Sequence, residues 1–187
     1  MIKASVNFYV LTGGPGTGKT SLLNSLDESG FITVPEDARR IIQQQMAANE
    51  NGLPWKDKKR YAELMFNASI DAYKKYSSKN RNETVFFDRG ILDAICYMQM
   101  EGIPLPAAAP DLIKKYVYSR VVFILPPWKE IYVKDTERRQ TWKEAVFIFE
   151  KMQQTYSEYG YHILEVPRVS VAERVGFIHN FIKSHEL

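Results

Sequence analysis

Five short runs of β-branched and aromatic residues recur along the chain: NFYVLT at 7–12, FITV at 31–34, TVFFD at 84–88, RVVFIL at 120–125 and YHILEV at 161–166. Each is almost wholly apolar, the pattern of strands buried on both faces. Helical periodicity fills the gaps. Leu22, Leu23 and Leu26 mark a first helix, Ala38, Ile41, Ile42 and Met46 a second, and Tyr61, Met65, Ala68, Ala72 and Tyr76 a long third. ILDAICYM reads as a fourth, and Ala145, Phe147, Ile148 and Met152 belong to another that ends in YSEY before Gly160. The last helix opens with Ser170 and Glu173 spaced as a capping box and buries Val171, Val175, Ile178 and Ile182. GIPLPAAAP, Gly102 to Pro110, reads as the most loop-like connection. Strands alternating with helices predict an α/β fold, a five-stranded parallel sheet with helices on both faces. Such sheets bind ligands beyond the carboxyl ends of their strands, so the polar residues that follow each run carry the functional information.

The first run leads into TGGPGTGKTS. It satisfies G-x-x-x-x-G-K-[ST] with Gly13, then Gly14, Pro15, Gly16 and Thr17, then Gly18, Lys19 and Thr20. A strand precedes this phosphate-binding loop and a helix follows it, as the motif requires. Glycines let successive backbone N–H groups curl around phosphate oxygens, and the helix that starts near Gly18 aims its positive end at the same anion. Lys19, at a loop end expected to face solvent, would reach the β- and γ-phosphates, and the Thr20 hydroxyl would bind magnesium. The dinucleotide fingerprint fails, because Lys19 stands where its third glycine would be.

Beyond the third run, Asp88 is placed to contact magnesium, or to cap the following helix, or both. Arg89 beside it would face a phosphoryl group or an acceptor, or pair with Asp93. After the second run, Pro35, Glu36 and Asp37 read as a first helical turn in which the acids complement the dipole. The alternative reading makes Glu36 the acceptor of a proton from a substrate hydroxyl, with Arg39 or Arg40 clamping an anionic substrate. After the fourth run two prolines stop the strand, and Lys134, Arg138 and Arg139 follow in a charged segment. It reads as a solvated helix face or as a lid whose arginines stabilise transferring phosphate. The VPRVS that follows the fifth run suits a loop beside a nucleotide base, and packing explains it equally well.

Composition narrows the picture. The 187 residues predict one domain spanning 1–187, and 45% apolar with 25% charged residues exclude a disordered chain. A net charge of +3 with one dense basic run, Lys56, Lys58, Lys59 and Arg60, reads as a solvated helix start and predicts no nucleic-acid partner. No stretch has the length of a membrane span, so no membrane partner is expected. The single Cys96, in an apolar context, reads as a core residue and suits a reducing, cytoplasmic setting. His162, His179 and His185 show no metal-ligand spacing.

YVLTGGPGTGKTSLL, VPEDARRII, VFFDRGILDAICYM, VFILPPWKEIYVKDTERRQT and YGYHILEVP together resemble the small bacterial AAA-type predicted ATPases of the NadR and TRPL-translocation-defect-like P-loop group. That group is similar to ribosylnicotinamide and deoxynucleoside kinase domains. The resemblance runs over nearly the whole chain, with DRG and DTERRQ as its narrower marks. It implies the three-layer P-loop NTPase fold, phosphate contacts from Gly14 to Thr20, and metal handling by Thr20 and Asp88. It also implies a kinase-like acid at Glu36, a substrate-side arginine at Arg89 and lid arginines at Arg138 or Arg139. The ligands expected are ATP with Mg2+ and an unidentified small-molecule acceptor. ATP is favoured by the resemblance and by the lack of an NKxD-type guanine-reading motif near the last strands. The expected function is transfer of the ATP γ-phosphoryl to a nucleoside- or nucleotide-like metabolite. The alternative is an ATPase or nucleotide switch acting through a protein partner.

Overall fold

A computed structural model describes residues 7–78, 83–132 and 141–185. Five strands, β1 (Phe8–Gly13), β2 (Ile32–Val34), β3 (Val85–Asp88), β4 (Val121–Leu125) and β5 (His162–Glu165), form one sheet in the order β2-β3-β1-β4-β5. Every neighbouring pair is parallel, with Leu11 opposite Asp88 on one side and opposite Phe123 on the other.

Side chains alternate across the strands and feed two cores. Phe8, Val10, Val85, Phe87 and Val122 face α3 (Lys58–Ser77) and α4 (Ile91–Met100), where they meet Phe66, Ile70, Tyr73 and Ile95. Tyr9, Leu11, Phe86, Phe123 and Leu125 face α1 (Lys19–Glu28) and the last helix, Val171–His185, against Leu22, Leu26, Ile178 and Ile182. This is the three-layer α/β architecture that the alternating pattern predicts. The edge strands depart from it. β5 is exposed at His162 and Glu165, as befits an edge strand with a neighbour on one side only.

Helix ends explain most boundaries. Asp57 caps α3 by accepting from the Arg60 N–H at 2.9 Å. α2 (Ala38–Ala47) begins later than expected, so Pro35 and Glu36 precede it, and Asp37, at its N-cap position, bonds Arg40 instead of the backbone. The supposed loop 102–110 ends early. α5 (Ala109–Lys115) starts inside it, with Pro110 in the first turn, where a missing N–H costs nothing. α6 (Trp142–Glu158) follows a Thr141–Glu144 capping box and stops at Gly160, whose φ of 76° is left-handed. The final helix, α7 (Val171–His185), has the expected box: Ser170 N–H donates to Glu173 at 3.0 Å and Glu173 N–H to the Ser170 hydroxyl at 3.4 Å.

Candidate functional site

The loop after β1 wraps the start of α1. Gly16 and Gly18 have φ of 76° and 80°, open only to glycine without strain, and Thr17 closes the turn by donating from its hydroxyl to the Gly14 carbonyl at 3.0 Å. Gly18 is the N-cap of α1 and has no side chain to offer, so the first-turn N–H groups of the helix are not capped by it. Such a terminus is an anion site in waiting. Pro15, Gly16 and Gly18 are half-buried, Gly13, Gly14 and Thr17 buried, and Thr20 exposed beside them.

Lys19 departs from expectation. It is only 8% exposed, because its ammonium turns inward to the carboxylate of Asp88 and lies 3.8 Å from Glu36 Oε2. Parallel register brings these groups together: β1 and β3 are neighbours, and β2 flanks β3, so the segments that follow all three converge. Arg89 completes the cluster. Its Nε donates to Glu36 Oε1 at 2.7 Å and its Nη1 to Asp93 Oδ1 at 3.3 Å. The backbone there is strained, with φ of 69° at a non-glycine residue, and its N–H is held by the Leu11 carbonyl at 3.0 Å.

Asp88 does not cap α4. Gly90 takes the N-cap position, and Asp93 Oδ2 accepts its N–H at 2.8 Å. Asp93 is the residue that sequence reasoning treated only as a partner for Arg89. Buried, it also accepts from the Tyr156 hydroxyl at 2.6 Å and from the Thr12 hydroxyl, which joins the last turn of β1 to α4 and α6. Its signal in the sequence was a lone acid within the apolar run ILDAICYM. A side chain at Gly90 would collide with Val10 and crowd Tyr118 and Tyr156, which explains glycine there.

The two acids nearest Lys19 are tuned apart. Burial pushes Glu36 up, but Arg89 and Lys19 outweigh it and hold its carboxyl below the ordinary value. At Asp88 burial prevails over Lys19, with Glu36 adding repulsion, so its carboxyl lies above the ordinary value. Burial likewise raises Tyr61, whose ring lies near Glu36, to about 12.

A cavity of about 290 Å³ opens beside this cluster. Pro15 of the loop borders it at one end, Glu36, Asp37, Asp88, Arg89 and Asp93 supply its polar wall, and Tyr61, Met65, Phe87, Tyr97, Ile148 and Met152 its apolar wall. Arg39 and Arg40 do not line it; Arg40 faces outward to Asp37 at 2.6 Å and to Gln44 at 3.0 Å. Arg138, Arg139 and Lys134 lie outside the described residues. Among the described residues no three His, Cys, Asp or Glu side chains cluster as a metal site. Magnesium in a phosphate-loop site needs no such cluster, because it takes one or two protein oxygens with phosphates and water. The Thr20 hydroxyl and the Asp88 carboxylate suit that donor set. No helix among the described residues is long and apolar enough to cross a membrane.

A glycine loop between a central strand and a helix, with a lysine and an acid meeting at the strand ends of a 2-3-1-4-5 sheet, defines a kinase-like P-loop domain. The AAA domain family matches residues 8–174, and the chain belongs to it. Comparison with curated protein sequences finds no match. Among solved structures, the fold resembles deoxyadenosine kinase from M. mycoides with bound dATP, at 16% identity and a TM-score of 0.59, over 94% of this chain and 98% of that one. It also resembles NadR in complex with NR, at 20% identity and a TM-score of 0.68, over 94% of this chain but about half (51%) of NadR. Shikimate kinase from Acinetobacter baumannii in complex with shikimate matches at 16% identity and a TM-score of 0.58, over 97% of this chain and 96% of that one.

Proposed function

We propose that the protein is a magnesium-dependent phosphotransferase that moves the γ-phosphoryl of ATP to a small nucleoside-like acceptor. The observation that carries this reading is the meeting of Lys19, Glu36, Asp88 and Arg89 between the phosphate loop and a cavity with one polar and one apolar wall. A hydrolase needs only water at that position, whereas a cavity walled by Tyr61, Met65, Phe87 and Tyr97 is shaped for a ring.

The backbone N–H groups between Gly13 and Thr20, of which Pro15 has none, hold the triphosphate, and Lys19 leaves Asp88 to meet the β- and γ-oxygens. Thr20 and Asp88 would hold magnesium, which would supply neutralising charge to the phosphates. Glu36, kept ionised by Arg89 and Lys19, accepts a hydrogen bond from the acceptor hydroxyl and fixes it in line with the γ-phosphorus. Phosphoryl transfer through a loose transition state asks little of a base, so a weakly basic carboxylate suffices for orientation. Arg138 or Arg139 supplies the closing cation.

The cavity's charge favours an uncharged acceptor over a nucleotide or a carboxylic acid. Four acids line it, Glu36, Asp37, Asp88 and Asp93, and its Arg89 is already engaged by two of them. A thermal-shift screen of nucleotides with and without magnesium, followed by metabolites added to the ATP complex, tests the proposal. A ligand at a hundred times its dissociation constant adds about 2.7 kcal/mol of stability. Acceptor-dependent ATP consumption is the expected result. Turnover at a slow basal rate, indifferent to every small molecule, would replace the kinase with a nucleotide switch.

A further inference from the structure

Arg174, in the first turn of α7, is 3% exposed. Its Nη1 donates to the Thr17 carbonyl at 3.0 Å and its Nε to the Pro167 carbonyl at 3.1 Å. The guanidinium lies 4.7 Å from the centre of the Trp128 ring, within cation–π range. Thr17 precedes the N-cap glycine of α1, and a Cβ placed on Gly18 would come within 3.1 Å of Arg174 Nη1. A residue 157 positions away in sequence thus supports the floor of the phosphate loop.

Two physical consequences follow. A trans peptide points its carbonyl and the next N–H in opposite directions, so fixing the Thr17 carbonyl on Arg174 aims the Gly18 N–H away from Arg174. Second, among the described residues no carboxylate pairs with this guanidinium; its partners are two carbonyls and a π face. A buried cation without a counter-anion is costly, and a polyanion seated on the loop directly above it would offset that cost.

We propose that Arg174 is a positioning residue for the triphosphate, orienting the Thr17–Gly18 peptide and lending to the phosphate loop, from below, a charge that no carboxylate among the described residues pairs. The inference rests on the nucleotide site proposed above. It assigns α7 a part in phosphate binding in addition to its packing role.

The test compares the parent with Arg174→Gln, Arg174→Lys and Trp128→Leu by calorimetric titration with Mg-ATP and with inorganic tripolyphosphate, alongside thermal melting without ligand. Arg174→Gln is expected to weaken both ligands by the same factor, at least about tenfold at low salt, because hydrogen bonds to a charged group are the strong ones and the base is not involved. Arg174→Lys keeps the charge but not the fork and should recover part of the loss. Trp128→Leu removes the ring that packs on the guanidinium, so the hold of Arg174 on the Thr17 carbonyl loosens; it should cost a few-fold, and it remains informative if the arginine variants fold poorly. In the amide NMR spectrum, the Gly18 signal should move in each variant before ligand is added. Parental tripolyphosphate affinity in any folded Arg174 variant, or in Trp128→Leu with an unmoved Gly18 signal, overturns the proposal. A parent that binds neither ligand instead removes the triphosphate site itself, and this inference with it.

Discussion

Arg89 and Glu36 face each other across the carboxyl ends of β2 and β3, Nε to Oε1 at 2.7 Å, although 53 residues separate them. The bond ties a strained arginine to an acid that precedes its helix, so neither is explained by its own element. Glu36→Gln keeps the size and a hydrogen-bond acceptor but removes the charge. We expect ATP binding near the parental value and an acceptor-dependent rate lower by roughly 10²–10⁴. Full acceptor-dependent rate in the mutant would return Glu36 to a purely structural role.

The same pair predicts an acid-sensitive contribution to stability. Because the folded Glu36 pKa lies below its ordinary 4.5, the stabilisation is fully present above pH 4.5 and fades as pH falls through the lower folded value. Thermal melting of parent and Glu36→Gln from pH 7 to pH 3 checks the sign: the gap between them should shrink with acid. A constant gap removes the linkage.

Lys19→Ala is expected to abolish tight triphosphate binding while the fold persists. Since Lys19 is buried against Asp88 rather than loose in solvent, the mutant should also lose about 1–3 kcal/mol of stability from the acid left without its partner. Denaturant unfolding and nucleotide titration measure the two effects separately. Unaltered ATP affinity in the folded mutant would falsify the nucleotide site.

Asp88→Asn should impair magnesium-dependent turnover more than nucleotide affinity, because the backbone of the loop still holds the phosphates. No loss of a helix cap is expected, since Gly90 and Asp93 cap α4 without it. A magnesium titration of rate, parent against mutant, gives the comparison. Identical metal dependence takes Asp88 out of the metal site.

Asp93→Ala should be the most destabilising of these changes. It strands the Tyr156 and Thr12 hydroxyls, the Gly90 N–H and one arm of Arg89, and removing one partner of a buried charged network costs about 3–5 kcal/mol. Urea unfolding reads the loss, and a change under 1 kcal/mol would show the network to be slack.

Cys96 provides a control on the packing of α4. It is 1% exposed and burial pushes its thiol up to about 11, so a neutral-pH alkylating reagent should label it only after denaturation. Labelling of the native protein at the rate of a free thiol would mean that α4 opens readily.

The strands, their order of appearance and the phosphate loop are legible in the sequence because they depend on local pattern: apolar runs, helical periodicity and glycines at fixed spacing. The inward turn of Lys19 is not, since it depends on β3 lying beside β1, a pairing of segments about 75 residues apart. The pairing of Asp93 with Arg89 is legible from its spacing, but the rest of its network is not, for the same reason. Its partners come from β1, α4 and α6, and nothing in ILDAICYM announces them. Local reading also misplaced α5, where a proline-rich stretch hides a helix whose first turn tolerates Pro110. Arg40 looked available on a charge pattern and is taken up by Asp37 three residues away.

The central place of β1 has one more consequence. With β3 on one edge and β4 on the other, the strand that ends in the phosphate loop is hydrogen-bonded along both sides. Its amides should be among the last to exchange with deuterated water, whereas β2 and β5 at the rims trade theirs sooner. The loop is therefore anchored at its entrance in a strand expected, with β3 and β4, to open late. Shape changes that accompany ligand turnover fall to the elements layered over the sheet, and the anchor stays still beneath them.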